Sequence, residues 1–301
     1  MSKKPVAISL GEVLWDVLPD GKTLGGAPSN VGRHLAQLGC EAHIVSAVGD
    51  DDLGREAIAY LRDKGLNVEN VAILAGAPTS TVDATLDPAG NATYVIHEDV
   101  AWDRLPVTGA ILALAGRAEA INFGSLALRS PAGRRAGFAV LDATPAAAVR
   151  MFDLNLRQPF IFPEILREGL ARATVVKMND DELGMMTGMF GLAKRPERAI
   201  EDLLAAYPNL RHLVVTRGAE GAWWHDRRAL LKRGPAASPR VVDTIGAGDS
   251  FTAVGMCGLL RGMEVKEVLR AALIVAAYVC SRRGGMPELP AELKRLVMVD
   301  F

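Results

Sequence analysis

Residues 6–65 read VAISLGEVLWDVLPDGKTLGGAPSNVGRHLAQLGCEAHIVSAVGDDDLGREAIAYLRDKG. Within them VAISL (6–10) and AHIVSAVG (42–49) are short apolar runs, and SNVGRHLAQLG (29–39) and LGREAIAYLRDKG (53–65) are segments of helical character. Short β-rich runs alternating with helical segments imply a parallel sheet whose strands are joined by crossover helices. Downstream, Ala120 to Phe123, Met151 to Asn155, Thr174 to Met178 and Leu213 to Thr216 each read as short buried strands, mostly followed by helical periodicity. The expectation is an α/β chain: a doubly wound, mostly parallel sheet with helices on both faces.

Two stretches break that rhythm. Val13 to Gly26 carries a Pro19-Asp20-Gly21 turn, and Thr79 to His97 reads as two β-rich arms around Asp87-Pro88-Ala89-Gly90-Asn91. Hairpins set into an α/β chain predict a small antiparallel sheet, built from about residues 12–28 and 79–105, standing off a single domain that spans 1–301. Such a sheet either covers a ligand as a lid or decorates the edge of the main one.

The 301 residues are 50% hydrophobic and 23% charged, with 30 Gly and 16 Pro, the balance of a folded enzyme and not of a disordered chain. The net charge is -1 with Lys and Arg scattered, which leaves no basic stripe for nucleic acid. The 3 cysteines, Cys40, Cys257 and Cys280, lie far apart and form no CxxC pair, so neither a disulfide framework nor a zinc site is expected, and a reducing cytoplasm fits. The apolar run Val6 to Leu10 breaks at Gly11 and Glu12, too soon for a signal-peptide core. Apolar stretches such as Ala271 to Cys280 are about half the ~20 residues a membrane span needs, so no membrane partner is expected.

The densest chemical signal is Val241-Val242-Asp243-Thr244-Ile245-Gly246-Ala247-Gly248-Asp249-Ser250-Phe251, followed by TAVGMCGLL, an apolar segment of helical length. Two glycines just before a helix leave backbone N–H groups pointing at an anion, and the helix dipole adds partial positive charge there. A carboxylate at Asp249 beside such a cradle can take the proton of an attacking hydroxyl, which is what phosphoryl transfer to an alcohol requires. Taken by itself, the same string also reads as a glycine turn with Asp249 as a helix cap. No GxxxxGK[ST] occurs, so a nucleotide site here is not a P-loop; no GxGxxG follows the first strand, which disfavours a dinucleotide fold.

The whole string DTIGAGDSF resembles the C-terminal signature of the ribokinase (PfkB) family of carbohydrate kinases. Gly25-Gly26-Ala27-Pro28-Ser29-Asn30, continuing VGRHLAQLG to VGDDDLG at Val48 to Gly54, resembles the family's N-terminal signature, about two hundred residues upstream. The resemblance covers essentially the full chain and implies a ribokinase-like fold and ATP-dependent transfer of a phosphate to a sugar. It implies Asp249 as base with Gly246, Ala247 and Gly248 as the amide cradle, and Asp16, Gly26 and Asn30 as sugar contacts. Asp153-Leu154-Asn155-Leu156-Arg157 is similar to the DxNxR segment of fructokinases and 2-keto-3-deoxygluconate kinases, with Arg157 near the sugar or the transferred phosphate.

By the same resemblance Asn179 and Glu182 in MNDDELGMMTG match an NxxE motif that holds magnesium and phosphate oxygens through water; they also read as a capped helix N-terminus. Thr216, Gly218 and Gly221 in TRGAEGA match a nucleotide contact. Cys280 to Pro287, with Gly284, resembles a loop that together with the Asp243 region encloses a monovalent cation, so potassium is a further expectation. Two departures stand out: Leu273 falls where many relatives carry an asparagine near the adenine, and Ile121-Asn122-Phe123-Gly124-Ser125 lacks the acidic residue of ribokinases. GEVLWD, FGSLAL and DLNLR together look most like bacterial fructokinases. The implied reaction is D-fructose to fructose 6-phosphate; a 2-keto-3-deoxygluconate kinase or another PfkB-type sugar or nucleoside kinase and, from another class, a non-catalytic sugar-binding regulator are the alternatives. A homodimer joined through lid sheets is implied by analogy.

Overall fold

The computed structural model describes residues 3–18, 21–86, 92–236 and 240–298. The chain runs β1 (Val6–Leu10), β2 (Leu14–Leu18), β3 (Gly21–Gly25), α1 (Ala27–Gln37), β4 (Glu41–Gly49), α2 (Asp52–Asp63), β5 (Val71–Leu74), β6 (Ser80–Leu86) and β7 (Ala92–Ile96). It continues through α3 (Gly109–Gly116), β8 (Ala120–Phe123), α4 (Pro131–Ala143), β9 (Val149–Asp153), α5 (Pro163–Arg172), β10 (Val175–Asn179), α6 (Asp180–Phe190) and α7 (Pro196–Ala206). The last elements are β11 (His212–Thr216), β12 (Ala222–His225), β13 (Leu230–Arg233), α8 (Ala247–Leu260), α9 (Val265–Cys280) and α10 (Ala291–Arg295).

Nine strands form one sheet in the order β13-β12-β11-β10-β9-β8-β1-β4-β5. Pairing is parallel from β5 to β11 and antiparallel only at the β12 and β13 edge. Because strand side chains alternate, Val6, Ile8 and Leu10 enter one core with residues of α3 to α7, while Ala7 enters the other with residues of α1, α2, α8 and α9. Strands buried on both faces read as continuous apolar runs, which is why VAISL carried no polar alternation. Phe123 and Phe152 stack across β8 and β9 with centroids 4.7 Å apart.

The second sheet has the order β3-β2-β6-β7. Both hairpins are antiparallel as expected, but they join along β2 and β6, which run parallel, with Asp16 opposite Val82. This follows from connectivity: the two hairpins come from separate crossovers of the main sheet, not from one meander. The last strand of this sheet ends at Ile96; Ala101–Arg104, which the sequence placed with the sheet, forms a short 3₁₀ turn instead. Pro19 and Asp20, and the turn 87–91, lie outside the described residues. Trp15 of β2 is buried and its Nε1–H donates to Leu53 O at 3.0 Å, tying the small sheet to α2.

Among the described residues no helix is long and apolar enough to cross a membrane. All three cysteines are free thiols. Cys40 and Cys257, distant in sequence, meet in the core with Sγ atoms 3.5 Å apart.

Candidate active site

The order of the main sheet reverses at β1, whose neighbours are β4 on one side and β8 on the other. Loops leaving adjacent strands there diverge in opposite directions and open a crevice beyond the strand C-termini. Glu12 follows β1, Asp153 ends β9, Asn179 ends β10 and Thr216 ends β11, so residues far apart in sequence face one edge of the sheet.

Asp249 lies in the first turn of α8, behind Gly246, whose φ of 76° is a left-handed conformation suited to glycine. Asn30 in the first turn of α1 donates from Nδ2 to Asp249 Oδ2 at 2.7 Å. The two segments expected to converge therefore do. Gly285 fills the space between them. A Cβ on Gly246 would stand 2.7 Å from Gly285 O, and one on Gly285 would stand 2.6 Å from Asn30 Cγ. The loop is held from α1: His34 Nε2–H donates to Gly285 O (3.0 Å), and Gln37 bonds Pro287 O and Leu289 N. Burial lowers the His34 pKa to about 4, so the ring is neutral at physiological pH and acts as a fixed donor.

Of the three amides expected to form the cradle, that of Ala247 is committed to Thr244 O at 3.3 Å. Among the described residues the N–H groups of Gly246, Gly248 and Asp249 make no hydrogen bond, as expected at a helix start. Those three amides are left free to face an anion.

Arg157 is the shared positive charge of this region: it pulls down the pKa of Glu12, Asp16 and Asp249. Burial works against it. Asp249 is raised to about 6 by desolvation first and by the charge of Asp153 second, with Asn30, Lys177 and Arg157 opposing. Glu12 is raised to about 7, again chiefly by desolvation. Asp16 is raised by burial in the small sheet, where its Oδ2 lies over the Cα of Gly25 and requires glycine there. Gly26, at φ 91°, precedes α1 with its Cα against the Glu12 carbonyl, so that glycine is needed to seat the helix.

At the strand ends expected to meet the nucleotide, Asn179 and Thr216 are register partners on β10 and β11. Asn179 Oδ1 accepts from Glu182 N (2.7 Å), while Glu182 accepts from Asn179 N (2.8 Å) and Leu156 N (2.7 Å). This is the capping box of α6, extended to fix the DLNLR loop. Gly218 has φ 48° and open space around its Cα; at Gly221 the backbone of Arg233 and Gly234 crosses where a Cβ would stand. Asp243 accepts from Ile245 N (2.9 Å) and Gly284 N (3.0 Å), pinning the loop before α8 to the C-terminal glycines. Leu273, on α9, is buried in the core shared with α8.

The pfkB family carbohydrate kinase profile matches residues 10–292. The chain belongs to the pfkB family of carbohydrate kinases. Among curated relatives of this pfkB kinase, fructokinase-1 of Oryza sativa subsp. japonica is 28% identical over 329 residues, covering 99% of this chain and 98% of the relative. Fructokinase-2 of Solanum lycopersicum is 27% identical, covering 99% and 97%. Among solved structures, a fructokinase with bound ATP from Xylella fastidiosa superposes with TM-score 0.85 at 23% identity, covering 98% of each chain. Arabidopsis thaliana ribokinase complexed with ribose and ATP gives TM-score 0.81 at 18% identity over 99% of this chain and 100% of that one. The pfkB fold is therefore that of this kinase.

Sequence reasoning singled out no role for Glu12, Asp153, Lys177 or Thr252. Lys177 Nζ donates to both oxygens of Asp153 (2.9 and 2.7 Å), and Thr252 Oγ1 donates to Asp153 Oδ2 (2.7 Å). One signal was available: a lysine inside the apolar run TVVKMN of a buried strand is rare unless it is paired. Its partner and its nearness to Asp249 needed the fold.

Proposed function

We propose that this kinase transfers the γ-phosphate of ATP to the terminal hydroxyl of a neutral ketose, D-fructose to fructose 6-phosphate, with Asp249 as the base. The observation that carries the reading is the hydrogen bond between Asn30 and Asp249, which puts a carboxylate and three free amides in the same crevice. Sugar lies against Asp16, Gly26, Asn30 and Arg157, under the small sheet acting as a lid. ATP extends along the strand ends past Asn179, Thr216, Gly218 and Gly221. Asp249 accepts the hydroxyl proton, the oxygen forms its bond to the γ-phosphorus, and the bond from that phosphorus to the ADP oxygen breaks. Charge that develops on the transferred group meets the amides of Gly246, Gly248 and Asp249, already oriented by the helix.

Support for a neutral sugar comes from charge. Arg157 is accompanied by three acids, Glu12, Asp16 and Asp249, and Lys177 is clamped by Asp153, so a substrate carboxylate such as that of 2-keto-3-deoxygluconate would meet like charge there. The curated relatives named above are fructokinases.

Among the described residues no group of three or more His, Cys, Asp or Glu could hold a metal by itself. Glu182 has both oxygens engaged by backbone amides, which suits an ion held by phosphates and water and reached by Glu182 and Asn179 indirectly. Magnesium bound there with ATP would neutralise phosphate charge. Asp243 and Gly284, already joined by a hydrogen bond, are the place for a monovalent cation. The exposed Val95 on the small sheet is compatible with the proposed homodimer.

A panel measuring ADP release with fructose, ribose, 2-keto-3-deoxygluconate and adenosine, each with and without potassium, tests substrate and cation together. Fructose is expected to give the highest kcat/KM; a faster reaction with the sugar acid overturns the substrate, and potassium-independent rates overturn the cation. A catalytically silent regulator would release no ADP with any of them.

The pH profile follows from the raised carboxyls. A base must be ionised, so kcat/KM with fructose rises with pH through about 6, the Asp249 value, with Glu12 titrating near 7 in the same pocket. An acidic limb near 4, the range of an ordinary carboxylate, would contradict the assignment.

A further inference from the structure

We propose that Lys177 is a positioning residue for phosphoryl transfer: its buried ammonium, clamped by Asp153, lies beneath the amide cradle and supplies fixed positive charge where the transferred phosphate sits. The inference rests on the kinase reading of Asp249 and adds a group that does not touch substrate.

Lys177 lies mid-strand in β10, otherwise apolar up to Asn179, and is 6% exposed. Its Nζ bonds Asp153, its register partner on the neighbouring β9, and Asp153 is bonded in turn to Thr252, one turn beyond Asp249 on α8. A Cβ on Gly248 would stand 3.3 Å from Nζ. The missing side chain at Gly248 thus brings the ammonium directly under the cradle amide of that residue. Around Nζ the charged groups are Asp153 on β9, Glu182 on α6 and Asp249 on α8, while Arg157 and Glu12 act on Asp249 in turn. Burial works against the charged form of Lys177, yet Asp153 outweighs it and holds the pKa above the ordinary lysine value. A buried ion pair is a poor way to join two strands that the sheet already pairs, because apolar residues of similar volume do so at least as well. A permanent cation under an anion site has an electrostatic use that apolar packing lacks.

Two variants and one measurement on the unmodified protein test this. Lys177→Met leaves Asp153 unpaired and can fail to fold, so it is paired with the double variant Asp153→Asn/Lys177→Met, which removes both charges. In the double variant kcat is expected to fall ~10-fold or more, with the KM for fructose within about threefold and the unfolding midpoint close to that of the parent. In Lys177→Met the acidic limb of kcat/KM is expected to move to higher pH, because the cation that favours ionised Asp249 is gone. Neither shift follows from a purely structural role. A folded double variant with kcat within about threefold of the parent overturns the proposal. If neither variant folds, the ¹⁵Nζ resonance of Lys177 in the native enzyme decides: it is expected to move when ADP, aluminium fluoride and fructose are bound together, and an unmoved resonance overturns the proposal. Asp249→Asn is assayed alongside, so failure of the base assignment is seen separately.

Discussion

Asp249→Asn is expected to lower the turnover of this kinase by at least ~10²-fold, the usual loss for a removed general base, while binding of fructose, the proposed substrate, changes little. The amide keeps the shape of the side chain and an acceptor for Asn30, which holds Asp249 at 2.7 Å in the parent, so the pocket stays in place and only the proposed proton acceptor is lost. Stability moves the other way. The folded pKa of Asp249 is raised from 3.8 to about 6, so the folded state binds the proton more tightly than the unfolded chain does. The ionised side chain therefore costs stability above about pH 6, and that cost fades as pH falls toward the unfolded value. The asparagine variant is expected to melt at or above the parent temperature near pH 8, with the difference shrinking as pH falls. Isothermal titration with fructose, single-turnover ADP release and thermal unfolding at two pH values read the three quantities. Turnover within a few-fold of the parent would remove Asp249 from the chemistry.

The second large effect is expected from Gly246→Ala. Its φ of 76° already disfavours any side chain, and the new Cβ would stand 2.7 Å from Gly285 O and 2.9 Å from Gly285 C. Gly285 cannot retreat freely, because its own Cα lies against Asn30 and its carbonyl is held by His34. The push therefore passes through Gly285 to the side chain that positions Asp249, and the cradle amide of Gly246 turns with it. A loss of about 1–3 kcal/mol in stability and ~10²-fold in kcat/KM is expected, since displacements near 1 Å at a reacting centre cost about that much. Gly262→Ala is the control: φ is 64° there, but nothing lies within 4 Å of a new Cβ. It carries the backbone strain alone, on the turn after α8, and is expected to lose a little stability and no activity. Equal loss of activity in both variants would show that strain, not collision at the loop, is responsible.

Much of this was legible in residue order alone. The β-rich runs alternating with helical segments specify parallel strands and crossover helices because each element writes its own period and its own burial into the chain. VAISL and AINF correspond to β1 and β8 without a residue's difference. GGAPSN and DTIGAGDSF carry glycines whose conformations are local needs, at Gly26 and Gly246 alike. Their contacts are not local: Asn30 and Asp249 are 219 positions apart, and no periodicity says which strand ends will meet. The joining of the two hairpins through parallel β2 and β6 was hidden for the same reason, since pairing between distant strands is chosen by packing and not by either sequence. Burial is likewise a property of the whole fold. It lifts Asp249 to about 6 and Glu12 to about 7, and it turns Lys177 from a stray charge in an apolar strand into the partner of Asp153. Order along the chain determined the kinds of element and the residue types available for chemistry. Their convergence, and the low-dielectric surroundings that tune their proton affinities, exist only once distant segments share one crevice.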